Sequence, residues 1–339
     1  MRPLNVLLTC ASLTAKSMIE CLKDNGEREI KVYVTNSSDF DLPKTELCDG
    51  TFKVPSIYSD DYIECLLNIC KTNYIDIIIP CVSLELEFMA KWKNVFEQNG
   101  IVVSVSSLDS IKIANDKIKL HGKFKDIMPN QIIPRNYEEA DAFLSENDGV
   151  ACCKVADKCG GKGFAIIDND KASDVMLFHR FGKKHYINTH ILKNIVDRGD
   201  KIILQQYIQG IDYTVSALAD KGKVIQMLGY VGYIMEFGTI MYGEIKQNKR
   251  AYDITERIIS ELNFDGNIGV DFILKEDGEV KLLEVNPRVN ASLSFCKEAG
   301  YNLIYDRCKI LIGEKPNSPF SMLKDGLKMK KYYENEYFI

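Results

Sequence analysis

Residues 269–288 read GVDFILKEDGEVKLLEVNPR. Two apolar runs flank Asp277-Gly278, a dipeptide that closes tight hairpins, so the stretch predicts two paired strands. Glu284, Asn286 and Arg288 stand at alternate positions, and alternate residues of a strand share a face. Pro287 has no N–H to continue a ladder and ends the second strand there. Asp271 lies thirteen residues before Glu284. Counting back from the turn sets the two acids near each other on the paired strands, with Asn286 extending the same face. Two carboxylates and an amide oxygen make an all-oxygen donor set, which suits Mg²⁺ shared with substrate phosphates. On spacing alone, an acidic surface hairpin is the competing reading.

The rest of the chain bounds what such a site serves. Of 339 residues, 46% are hydrophobic and 27% charged, enough for two or three subdomains with their own cores. A net charge of −5 argues against a general nucleic-acid binder, whose phosphate contacts need a basic excess. The longest apolar runs, such as YIDIIIP, are too short to span a bilayer. The eleven cysteines are scattered, odd in number and without a CxxC pair. With no signal peptide, they read as reduced thiols of a cytoplasmic protein. Cys152, Cys153 and Cys159 do not suit zinc, because adjacent residues of a strand point to opposite faces.

The first third alternates strands with helical patterns: LNVLLT (4–9), a helix over 15–25, IKVYVT (30–35), a helix after YSDD, IDIIIP (75–80), a helix near 84–99 and IVVSV (101–105). This predicts a doubly wound parallel layer. In the second helix Ser59 is the expected cap, and Ile63, Leu66, Leu67 and Cys70 the buried stripe. The first strand-to-helix turn, TCASLTAKS (9–17), holds no glycine, so a dinucleotide's pyrophosphate could not approach it. Ser12, Thr14, Ser83 and Glu85 follow strand ends, where open sheets bind ligands, although capping of loops is the simpler role. From residue 108 a basic amphipathic segment opens a new subdomain. Residues 170–200 read as helical and charged, and their histidines His179, His185 and His190 fit a solvated segment better than a metal site.

Two further stretches carry chemistry. In CCKVADKCGGKGF (152–164), Lys154 ends an apolar strand before a glycine-rich loop, which can surround a triphosphate with a cation and backbone N–H groups. It is not a Walker loop, and alone it reads as a tight hairpin. In IILQQYIQGIDYTV (202–215), a strand running into a turn can offer backbone groups to an adenine edge and Asp212 to a ribose.

Taken in this order, the three stretches resemble the ATP-grasp superfamily, most of all its carbamoyl-phosphate-synthase-like and carboxylate–amine ligase members. The resemblance covers nearly the whole chain. It implies an N-terminal doubly wound parallel α/β domain (1–112) followed by a two-part ATP-grasp fold, a central and lid subdomain (113–206) and a C-terminal subdomain (207–339). Lys117 and Lys154 match phosphate-binding lysines, and Gly160, Gly161, Lys162 and Gly163 match the flap over the phosphates. Gln206 and Ile208 match hinge positions whose backbone meets adenine, with Gln205 where the family usually has glutamate and Asp212 where it usually has a ribose-binding glutamate. Asp271, Glu284 and Asn286 match the metal ligands, and Arg288 an arginine at the transferred phosphoryl group.

The implied activity is ADP-forming carbon–nitrogen ligation through an acylphosphate. ATP and Mg²⁺, with Mn²⁺ as its alternative, are the implied cofactors, and a small-molecule carboxylate and an amine the substrates. No nucleic acid or membrane partner is expected, and a homodimer is compatible. Two other readings stay open: an acylphosphate- or carbamoyl-phosphate-forming phosphotransferase, and a non-catalytic ATP-binding subunit. The aromatic tail is expected to pack on its own domain, with no fused glutaminase or allosteric domain.

Overall fold

A computed structural model describes residues 2–12, 15–43, 46–155, 163–175, 185–236, 239–317 and 323–332. The first unit contains β1 (Leu4–Thr9), α1 (Ala15–Lys23), β2 (Ile30–Asn36), β3 (Gly50–Lys53), α2 (Tyr62–Thr72), β4 (Ile77–Pro80), α3 (Ser83–Gln98) and β5 (Val102–Val103). Its strands pair in parallel in the order β3-β2-β1-β4-β5, the doubly wound layer that the alternation predicts. The buried stripe of α2 is Tyr62, Ile63, Leu66 and Cys70, while Leu67 is only half buried. Ser59 does not cap α2 with its hydroxyl. The helix begins after Asp61, and it is the Ser59 carbonyl that accepts the Tyr62 N–H, at 3.1 Å.

The basic segment from residue 108 divides into α4 (Leu108–Ala114) and α5 (Lys117–Phe124). Asp116 separates them by accepting the Ile118 and Lys119 N–H groups, a side-chain cap that starts α5 at Lys117. There follow β6 (Gln131–Ile132), α6 (Tyr137–Ser145), β7 (Ala151–Val155), β8 (Phe164–Ile167), α7 (Asn169–Val175), β9 (Tyr186–Ile187), α8 (Thr189–Asp197) and β10 (Ile202–Gln206). They build a sheet in the order β6-β10-β7-β8-β9. The region 170–200 is thus not helical throughout: β9 pairs in parallel with β8 between two helices. A strand of two residues is too short to show a period of two.

The third unit holds β11 (Ile211–Asp220), β12 (Lys223–Glu236), β13 (Thr239–Ile245), α9 (Lys249–Glu261), β14 (Gly266–Leu274), β15 (Val280–Asn286), α10 (Leu293–Ala299), α11 (Leu303–Leu311) and β16 (Lys328–Lys330). Its sheet is antiparallel, ordered β15-β14-β11-β12-β13-β16. The helices α10 and α11 carry Phe295, Ile304 and Tyr305 into one apolar cluster with Met18, Ile19 and Leu22 of α1. That shared core fixes the first unit against the third. Among the described residues no helix is long and apolar enough to cross a membrane.

A buried ion pair reinforces the same junction. Arg307 of α11 is 1% exposed and meets Asp265 through two hydrogen bonds of 2.7 and 3.0 Å, while its Nε donates to Ser104 at 3.1 Å. Asp265 and Ser106 also exchange hydrogen bonds, through the Asp265 backbone. Replacing Asp265 by alanine leaves a guanidinium buried with Ser104 as a neutral partner. The expected cost is about 3 kcal/mol, because a buried charge loses its counter-ion. Urea unfolding of Asp265→Ala should show it as a lowered midpoint, whereas an unchanged midpoint would mean that Arg307 is solvated after all.

Candidate active site

The β14–β15 hairpin places Asp271 and Glu284 directly opposite each other. The register slips by one residue after Asp271, so Phe272 faces Leu282, and the shift sets Glu284 and Asn286 on the face that Asp271 shares. The Asn286 Nδ2 donates to Asp271 Oδ2 and to Glu284 Oε1, both at 3.0 Å. From the neighbouring strand, Thr214 Oγ1 donates to Asp271 Oδ1 at 2.6 Å. Burial, and then the charge of Glu284, push the Asp271 carboxyl up to about 7, against the Thr214 hydrogen bond and the Arg288 charge. Two carboxylates crowd one spot there.

Beyond Pro287 the chain turns, and the Arg288 side chain folds back beside the acids. Its Nη1 donates to the Val289 carbonyl at 2.9 Å, and its Nη2 lies 3.5 Å from Asn286 Oδ1. Its Nε donates to Ser83 Oγ at 3.1 Å, a contact across to the first unit.

Facing this hairpin is a cavity of about 250 Å³. Lys117, Lys154, Gln131 and Gln205 line it together with Glu284 and Asn286. Lys117 reaches it as the first residue of α5, and Lys154 from the end of β7. Lys154 Nζ donates to Gln205 Oε1 at 2.7 Å, and Gln205 is 2% exposed. Burial holds the Lys154 ammonium below the usual lysine range; the charge of Lys117 acts in the same sense and that of Glu284 against it. One wall is therefore cationic, the other an array of oxygen donors.

The remaining expected residues are placed as follows. Asp212 sits on β11 two positions before Thr214, on the same face, but does not line the cavity. Gln206 ends β10, and its N–H already donates to the Asn130 carbonyl at 2.8 Å, so that N–H is not available to adenine. Ile208 lies in the loop after it, half buried. Gly163 adopts φ 71°, and its carbonyl accepts the Val155 N–H, closing the β7–β8 hairpin. Gly160, Gly161 and Lys162 lie outside the described residues, as do Thr14, Cys159 and His179. His185 and His190 are exposed, and no cluster of three histidine, cysteine or acidic side chains suited to a metal occurs among the described residues.

Ser83 and Glu85 do more than cap loops. Ser83 holds Arg288, and Glu85 is fully buried, accepting from Thr9 Oγ1 at 2.9 Å and Tyr62 Oη at 2.6 Å. Thr214 and Gln131 were not anticipated. The alternation Asp212, Thr214, Ser216 along β11 carried a signal for Thr214; nothing local pointed to Gln131.

Comparison with known proteins agrees with this layout. The family described as ATP-grasp domain matches residues 114–292, and the PylC-like N-terminal domain matches 6–104. The carbamoyl phosphate synthase large chain of Thermoanaerobacter sp. (strain X514) is 23% identical over 261 residues, covering 67% of this chain and 22% of that protein. Its counterpart from Brucella suis biovar 1 is 25% identical over 260 residues, covering 68% and 22%. The chain thus spans about a fifth of the length of these curated relatives. Among solved structures, biotin carboxylase from Campylobacter jejuni in complex with β-γ-ATP superposes with a TM-score of 0.66 at 15% identity, over 94% of this chain and 73% of that one. N5-carboxyaminoimidazole synthetase from Staphylococcus aureus gives 0.67 at 13% identity, over 95% and 80%. At such identities the likeness is one of fold. Since the ATP-grasp match extends over more than half of the residues and includes both walls of the cavity, the protein belongs to the ATP-grasp family.

Proposed function

We propose that the chain is an ATP-dependent carboxylate–amine ligase. The observation that carries this reading is the convergence of Lys117 and Lys154 with Glu284 and Asn286 on one cavity, with Asp271 bonded behind them. Nucleotide phosphates need cations, and the metal that accompanies them needs oxygen ligands. Asp271, Glu284 and the Asn286 amide fit Mg²⁺ or Mn²⁺: the donor set is all oxygen, and a divalent cation would offset both the burial and the Glu284 charge that raise Asp271. When bound, that cation would neutralise negative charge on the phosphates.

In this reading a carboxylate oxygen of the acid substrate attacks the γ-phosphorus of ATP, ADP leaves, and an acylphosphate remains. The amine nitrogen then attacks the acyl carbon, loses a proton and expels phosphate. Lys117 and Lys154 hold the phosphate oxygens, and Arg288 offsets charge on the phosphoryl group in transfer. The similarity to carbamoyl phosphate synthase large chains favours a second reading, in which the phosphorylated acid is itself the product.

An ADP-release screen over carboxylic acids, with and without amines, separates these. Ligation predicts ADP release that requires both an acid and an amine. A stable phosphorylated acid formed without amine would establish the second reading, and nucleotide binding without ADP release across the panel would mark a non-catalytic subunit.

A further inference from the structure

We infer that Ser83 is a positioning residue for Arg288, and that through it the N-terminal unit sets the geometry of phosphoryl transfer; this deepens the ligase reading and rests on it. The Arg288 guanidinium has three holds. Those on Val289 and Asn286 come from within two residues of it, in the following turn and at the end of β15, and the Asn286 contact, at 3.5 Å, is at the limit of a hydrogen bond. The 3.1 Å bond from Nε to Ser83 Oγ is, among the described residues, the one side-chain hold from a distant part of the chain, and it spans 205 positions of sequence.

Ser83 is itself firmly placed. It opens α3, a helix of sixteen residues, and its carbonyl accepts Asn115 Nδ2 at 3.3 Å. Two residues on, Glu85 is locked between Thr9 and Tyr62. Ser83 and Leu84 also line the cavity that Glu284 and Asn286 face. A guanidinium has five N–H groups in one plane. Fixing Nε on Ser83 orients that plane, and with one N–H of each Nη engaged, a second N–H on each remains to grip phosphoryl oxygens. An Arg288 without this anchor would still carry its charge but would have to find its orientation at each turnover.

The test uses the full chain and needs no acid substrate. Binding of MgADP is measured by calorimetry with and without aluminium fluoride, a mimic of the phosphoryl group in transfer. Ser83→Ala should bind MgADP within about twofold of wild type, which also reports intact folding, while the affinity gained from aluminium fluoride shrinks about tenfold. Ser83→Thr, which keeps the hydroxyl, should restore the gain. Arg288→Lys lacks the Nε–H, so adding Ser83→Ala to it should cost nothing further. A full gain in Ser83→Ala, or an additional loss in the Arg288→Lys background, would overturn the inference. Failure of the wild type to bind MgADP would instead overturn the ligase reading beneath it.

Discussion

Glu284→Gln should lower the rate of ADP formation about 10²- to 10³-fold, the loss typical of removing one preorganised electrostatic contact from a reacting site. The substitution is close to isosteric. Its retained Oε1 can still accept from Asn286 Nδ2, as the carboxylate does at 3.0 Å, and the residue is exposed, so stability should shift by no more than about 0.5 kcal/mol. What disappears is one negative charge facing Asp271 across the hairpin. The Mg²⁺ concentration giving half-maximal rate should therefore rise together with the loss of rate. Steady-state ADP release titrated with Mg²⁺ measures both, and a variant that kept half the wild-type rate at ordinary Mg²⁺ would remove Glu284 from the proposed metal site.

Lys154→Met should have an effect of similar size, about 10²- to 10³-fold in kcat/KM for ATP, because it deletes a half-buried cation and leaves Gln205 Oε1 without its 2.7 Å donor. The pH dependence adds a sharper signature. Burial lowers the Lys154 ammonium below the usual lysine range, so its proton is lost at a lower pH than that of an exposed lysine. The free enzyme should then show kcat/KM falling on the alkaline side, beginning below the ordinary lysine titration. Lys154→Arg keeps its charge throughout that range and should move or abolish this limb, whatever it does to the absolute rate. A limb that stayed in place in Lys154→Arg would belong to another group.

Much of the fold was legible because short-range patterns carried it. The run LNVLLT gives β1 with its exact bounds, and the parallel layer follows from strands alternating with helical stripes. The β14–β15 hairpin is likewise written in its turn and its alternation, which bring Asp271 near Glu284, but regular counting from the turn would pair Asp271 with Leu283, and only the register slip after Asp271 sets it opposite Glu284. What local patterns miss is contact between distant elements. Thr214 and Asp271 are 57 positions apart, and only the β11–β14 register joins them. Ser83 reads as a residue after a strand end, with loop capping as its simpler role, because nothing near it in sequence announces Arg288. Arg307 sits in a helix where an arginine suggests a solvated face, yet its partners come from far along the chain, Asp265 just before β14 and Ser104 just after β5. Lys117 and Lys154 were suggested by resemblance to a family; their meeting at one cavity needs α5 and β7 to be placed in space.

The central claim is that the acid is activated as an acylphosphate. Its most direct test is to supply the acid identified by the ADP-release screen with ¹⁸O in its carboxylate, together with the amine and MgATP, and to weigh the phosphate released. If the carboxylate attacks the γ-phosphorus and the amine later displaces phosphate, one ¹⁸O passes from the acid into the phosphate for each amide formed. Phosphate without ¹⁸O, released alongside amide, would contradict the account.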